Sequence, residues 1–151
     1  MQHVQTRSTT SALVLTAVLI ALATLFTMYT KIPVPGIRGY FNVGDVVIMT
    51  SALLLGRKYG AYIGAIGPAL ADLFLGYAVF VPITFVVKGI EGYLVGTVYN
   101  SKTTTSALVA TIVGGIIIVA GYFIAEYFVF DPGVAIASIL TNTCLLYTSD
   151  A

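Results

Sequence analysis

Residues 11–29 read SALVLTAVLIALATLFTMY, a stretch of full membrane width without one charged side chain. A spanning helix needs about 20 predominantly apolar residues. The run stops at Lys31, Pro33, Pro35 and Gly36, residues that end helices. It is too long for the apolar core of a signal peptide, and no small-residue cleavage site follows it. The stretch therefore predicts a first transmembrane helix. The whole chain has the same character: of 151 residues, 58% are hydrophobic and 9% charged. A soluble domain has about 45–50% and about 25%. That composition excludes a disordered protein, a nucleic-acid-binding domain and most cytosolic enzymes. A net charge of +1 names no charge-driven partner, and Cys144 alone makes neither a disulfide framework nor a cysteine zinc site.

Working outward, a short second span is expected over 42–56, with Arg57 to Gly60 as the next turn. A third span follows over 59–79, a fourth over 81–99 and a fifth over 107–128, with the polar stretch 100–106 before the fifth. Asp131-Pro132-Gly133 signals a turn, and a sixth span opens at Val134 but runs out before crossing. The expected fold is all-α, an integral membrane bundle of six transmembrane helices with the sixth truncated. Residues 1–143 are read as a single membrane domain and 144–151 as a non-native tail. Arg7, Arg57, Lys58 and Lys102 lie on one side, against Lys31 and Arg38 on the other, which predicts a cytoplasmic N-terminus.

Ionisable residues within a bilayer are costly and so are functional candidates. Here they are Asp45, Asp72, Lys88, Glu91 and Glu126, all expected in the outer half of the bundle. With the turn between spans three and four centred near Phe80, Asp72 and Lys88 lie eight residues to either side, at matched depth. They either lock two helices together, line a binding cavity, or do both. Glu91 shares a helical face with Lys88. The outer connection 31–42 is a candidate lid. In it Tyr40 and Phe41 suit stacking on a flat ring, and Arg38 and Asn42 suit hydrogen bonding to one. An interfacial aromatic belt is an equal reading of Tyr40 and Phe41.

Small-x-x-x-small pairs occur at Ala17/Ala21, Gly60/Gly64 and Gly92/Gly96, with intramolecular packing as the plain reading of each. Pro68 is expected to kink the third span ahead of Asp72. The lone His3 precedes the first span, so no metal site is expected, and no cofactor. The chain has no phosphate-binding G-x-x-x-x-G-K-[ST] loop with which to hydrolyse ATP itself.

Four blocks point to a family: 39–48 (GYFNVGDVVI), 55–60 (LGRKYG), 71–77 (ADLFLGY) and 82–92 (PITFVVKGIEG). In order and content they resemble the substrate-binding S component of energy-coupling-factor (ECF) transporters. The resemblance is to the riboflavin-type branch, which includes hydroxymethylpyrimidine- and pyridoxine-type members. It implies a six-helix subunit in a prokaryotic plasma membrane that captures a vitamin or vitamin precursor at the outer face. Its implied partners are a transmembrane coupling subunit, docked on the Ala17/Ala21 face, and two cytoplasmic ATPase subunits. It further implies that the subunit topples to carry its ligand inward. The substrate-binding candidates are Arg38, Tyr40, Asn42, Asp45, Asp72, Tyr77, Lys88 and Glu91, with a weak lean towards a small pyrimidine or pyridoxine ring over riboflavin. A membrane enzyme acting on lipids is the rival class, and would need a metal-carboxylate motif or a nucleophile–base pair that the spans lack. A structural subunit with no tight ligand is the third.

Overall fold

In the computed structural model, residues 9–30, 32–33, 40–41, 43–99, 103–129 and 136 are described. They form five helices: α1 (Thr9–Tyr29), α2 (Gly44–Leu55), α3 (Arg57–Phe74), α4 (Phe80–Val98) and α5 (Thr104–Val129). A two-residue antiparallel ladder, β1 (Ile32–Pro33) with β2 (Tyr40–Phe41), lies between α1 and α2. The Val43 backbone N–H donates to Thr30 Oγ1 at 2.9 Å, which ties the end of α1 to the start of α2. Of the expected sixth span only Ile136 is described, and the tail and the polar stretch 100–102 lie outside the described residues.

Helices α1, α4 and α5 are each long and apolar enough to cross a membrane. Their outward faces carry large apolar side chains, including Leu13, Val18 and Phe26 of α1, Phe85 and Ile90 of α4, and Ile112 and Ile116 of α5. In water such a belt would be a liability, whereas lipid accepts it. Hydroxyls inside the helices are satisfied locally. Thr16 donates to Ala12 O, Thr111 to Ala107 O and Thr97 to Tyr93 O, as hydrocarbon surroundings demand. The chain is thus a membrane-embedded helical bundle.

Two boundaries differ from the sequence reading. The turn expected over Arg57–Gly60 is Gly56 alone, and α3 begins at Arg57. The third span, expected to reach residue 79, stops at Phe74. Gly76 takes φ +81°, open to glycine at no steric cost. Tyr77 N–H then bonds Asp72 O at 2.8 Å and Gly76 N–H bonds Leu73 O at 3.3 Å. That pair of bonds satisfies the last carbonyls of the helix and closes it. Meanwhile α3 continues through Pro68 as one helix.

α3 is the central helix, packed against α1, α2 and α4. Its small residues permit this. A Cβ on Gly64 would stand 2.2 Å from the Lys88 carbonyl oxygen, and one on Gly60 2.6 Å from Ala52 Cβ. Only residues without a side chain let α2, α3 and α4 come this close. α1 joins through Thr24, whose Oγ1 reaches Gly67 O at 2.9 Å. On the other flank Met49, Ala52, Val95, Ala110 and Ile118 form an apolar core between α2, α4 and α5.

These contacts fix the directions. Gly64 meets Lys88 and Gly60 meets Gly92, so α3 and α4 are antiparallel. Ala52 meets Gly60 and Ile48 meets Gly64, so α2 and α3 are antiparallel too. Val95 meets Gly114 and Val87 meets Gly121, which sets α5 against α4. The start of α2, the end of α3, the start of α4 and the end of α5 therefore share one end of the bundle.

Candidate functional site

The buried ionisable side chains gather towards that end. Asp45 lies in the first turn of α2, Asp72 in the last turn of α3, Lys88 and Glu91 in the middle of α4, and Glu126 in the last turn of α5; all are at most 4% exposed. Lys88 is at the centre. Helical side chains lean towards the N-terminus of their own helix, so Lys88 extends along α4 towards the shared end. There its Nζ donates to Asp45 Oδ1 at 2.5 Å. Glu91, one turn behind, leans the same way and brings Oε2 to 3.1 Å from Lys88 Nζ. This second contact is an ion pair without hydrogen-bond alignment: Glu91 Oε1 and Oε2, like Asp45 Oδ2, have no hydrogen-bond partner.

The matched depth expected for Asp72 and Lys88 does not hold. Lys88 lies level with Gly64. Continuing that register to the turn puts Asp72 opposite Phe80, about 12 Å nearer the bundle end than Lys88 at 1.5 Å per residue. The reason is the cap at Gly76, which centres the turn near Tyr77 rather than Phe80. Asp45 on α2, not a residue on α3, takes the Lys88 ammonium.

Two residues outside the sequence-based candidates complete the cluster. Thr84 Oγ1 and Tyr122 Oη are 3.0 Å apart, bridging α4 and α5. The Lys88 ammonium stands 5.8 Å from the centroid of the Tyr122 ring, within cation–π range. The Tyr122 hydroxyl also lies within electrostatic reach of Asp72 and Asp45. A signal for both existed in the spacing. Thr84 is one helical turn before Lys88 and Tyr122 one turn before Glu126, each on the same face as an intramembrane charge.

Tyr77 sits in the α3–α4 turn, half-buried, its ring edge-on to Phe80 with centroids 6.4 Å apart. Arg38 and Asn42 lie outside the described residues, and for Tyr40 the backbone alone is described, paired with Pro33. Among the described residues, no group of three or more His, Cys, Asp or Glu side chains could hold a metal ion.

The three small-residue pairs separate into two kinds. Gly60/Gly64 and Gly92/Gly96 are packed inside, at the α3–α4 contact, where a Cβ on Gly96 would lie 2.5 Å from Arg57 N. Ala17 and Ala21 are exposed. α1 turns Thr16, Ala23, Thr24 and Thr27 inward instead.

Fold and site together define an integral membrane helical bundle with a buried, mostly acidic polar cluster near one end. Residues 7–148 match the family described as ECF-type riboflavin transporter, S component, and the chain belongs to that family. It is also 32% identical over 129 residues to the thiamine precursor transporter HmpT of Lactococcus lactis, covering 84% of this chain and 71% of that one. It is 43% identical over 117 residues to a Pyrococcus woesei protein described as "Uncharacterized protein in gap 3'region", covering 76% and 77%. The family is one of transporter components, not of enzymes.

Proposed function

We propose that this chain captures a small heteroaromatic vitamin or vitamin precursor, of the hydroxymethylpyrimidine, pyridoxine or riboflavin kind, for ATP-driven uptake. The observation that carries the reading is the Asp45–Lys88–Glu91 cluster. Charges buried in membrane helices mark substrate paths or pair with one another, and here Asp45 Oδ2 and Glu91 Oε1 have neither a hydrogen bond nor an ion-pair contact. Asp45, Lys88 and Glu91 form the floor of the site. Asp72 and Tyr77 line its approach, and Arg38, Tyr40 and Asn42, from the sequence between α1 and α2, are further candidates to bind the ligand. The family match and the name of the Lactococcus relative support a ligand of this class.

With no phosphate-binding loop of its own, the chain takes its energy from outside. The partners are a transmembrane coupling subunit and two cytoplasmic ATPase subunits. Ala17 and Ala21 present an exposed small-residue strip on α1, suited to close approach of the coupling subunit. The setting is a prokaryotic plasma membrane, with the N-terminus in the cytoplasm and the charged end of the bundle facing out.

The test is to purify the protein in detergent from cells grown in rich medium, denature it, and identify released small molecules by mass spectrometry. A stoichiometric heteroaromatic vitamin or precursor is expected. Recovery of none from several media, together with no thermal stabilisation by a panel of such compounds, would leave a structural subunit as the better account.

A further inference from the structure

The end of the bundle away from the charge cluster is basic. There α3 begins at Arg57, directly after Gly56, and its first two residues, Arg57 and Lys58, are exposed cations. Among the described residues neither has an ion-pair partner; the ion pairs there are those of Lys88. The four described acidic side chains are buried, in the middle of α4 or nearer the opposite end. Arg57 is also held in place. A Cβ on Gly96 of α4 would stand 2.5 Å from Arg57 N and 2.6 Å from its Cα, so this backbone is pressed against α4. The guanidinium lies 5.8 Å from the centroid of the Tyr93 ring, within cation–π range. A ring face accepts no in-plane N–H bond, so the donor fork of Arg57 is left for another partner.

We propose that Arg57 and Lys58 bind the phosphate of an anionic phospholipid in the leaflet at that end. The surface is layered as a lipid interface is. Tyr62, 57% exposed, lies one turn after Lys58 on the same face of α3, and Tyr93, 42% exposed, lies little more than one turn before the end of α4. Exposed tyrosines of this kind sit at the headgroup boundary. Along α3 the cations stand one turn further out, at the level of the phosphates. Towards the middle of the bundle the face of Tyr93 continues through the exposed Ile90, Val86 and Phe85. That apolar stripe suits acyl chains, and Arg57 at its end suits the headgroup of the same molecule. The planar guanidinium takes two phosphate oxygens in a two-bond fork, and the Lys58 ammonium adds a second charge. A protein partner would have to cover the cations and leave the stripe to lipid, whereas one phospholipid covers both. A zwitterionic headgroup brings an ammonium of its own, which the two cations repel, so the surface selects a lipid of net negative charge. In sequence Arg7 precedes α1 and Lys102 lies between α4 and α5, which adds two cations beside the same helix ends. The proposal does not depend on what the buried cluster binds.

The experiment reconstitutes the full chain in nanodiscs of equimolar phosphatidylglycerol and phosphatidylcholine with identical acyl chains. The lipids that stay bound on release are counted by native mass spectrometry. Phosphatidylglycerol is expected to be retained over phosphatidylcholine by about fivefold for each cation engaged, the worth of one Lys or Arg at an anionic membrane surface. Arg57→Gln combined with Lys58→Gln should bring the two lipids to near parity. Arg57→Lys, which keeps the charge and loses the fork, should lose part of the preference. Lys31→Gln, which removes one charge outside α3, should keep all of it. Equal retention of the two lipids by the unaltered protein would overturn the proposal. So would an unchanged preference in either Arg57 variant, or a loss in Lys31→Gln as large as in the double variant. Displacement of the retained phosphatidylglycerol by glycerol 1-phosphate would overturn it too, marking a site for soluble phosphates. If the double variant does not fold, the headgroup comparison on the unaltered protein and on Arg57→Lys decides.

Discussion

The two halves of α4 face the same neighbours and do different things. From Phe80 to Glu91 the helix turns Thr84, Val87, Lys88 and Glu91 inward, so that beside the apolar contact of Val87 with Gly121 it makes polar contacts with α2 and α5. From Gly92 to Val98 it turns Gly92, Val95 and Gly96 inward, and its buried contacts are backbone and hydrocarbon, with polar contacts to its neighbours at the Tyr93 ring, under Arg57, and at Val98 O, which accepts from Ser106 Oγ. Helix–helix association in lipid comes chiefly from close packing of small residues. The second half can supply that alone. The first half buries charge that the packing does not need, and the proposed binding role accounts for that excess.

The largest effect should come from removing Lys88, the one buried cation among the described residues. Lys88→Ala leaves Asp45 and Glu91 facing each other without compensation, and a broken buried ion pair costs about 3–5 kcal/mol. A thermal melt followed by size exclusion should show little folded protein. Survival of Lys88→Ala at unchanged melting temperature would mean that the charged half is not under electrostatic constraint.

Next is the glycine half. A Cβ on Gly92 would stand 2.1 Å from the Gly60 carbonyl oxygen, so Gly92→Ala must push α3 and α4 apart. Overpacking of this kind costs up to about 3 kcal/mol. Because the contact propagates along the helix pair to Gly64 and Lys88, some loss of ligand affinity should accompany it. Thr84→Val removes the hydroxyl that meets Tyr122 and should lower stability by about 1 kcal/mol, while sharpening the contrast by weakening only the polar half. The smallest effect belongs to Thr24→Val on α1, remote from either half of α4. It removes one interhelical bond, worth about 0.6 kcal/mol in a membrane bundle. Equilibrium unfolding in mixed micelles would rank the four.

Much of this was readable before any coordinates. The apolar runs locate all five helices, because a membrane helix must be continuous and uncharged for most of its length. Lys88 and Glu91 were legible as one unit, since three residues on a helix put both on one face. The partner of Lys88 was not legible. Depth counted from a turn depends on where the turn is, and the cap at Gly76 moved it by about three residues, one helical turn. That shift takes Asp72 out of level with Lys88 and leaves the ammonium to Asp45, more than forty positions away in sequence. Nor could the sequence separate Ala17/Ala21 from the two glycine pairs. All share one spacing, and only packing shows that the glycines are inside and the alanines outside.

The central claim is that ligand chemistry resides in the charged half of α4 and its neighbours, and packing alone in the other half. The most direct test compares Asp45→Asn with Val95→Ala, two small changes at fully packed positions on opposite sides of that divide. Each folded variant would be titrated with 4-amino-5-hydroxymethyl-2-methylpyrimidine, pyridoxine and riboflavin beside the unaltered protein. The account predicts at least about a tenfold loss of affinity for the bound compound in Asp45→Asn, and unchanged affinity in Val95→Ala. Wild-type affinity in Asp45→Asn, or an equal loss in Val95→Ala, would contradict it.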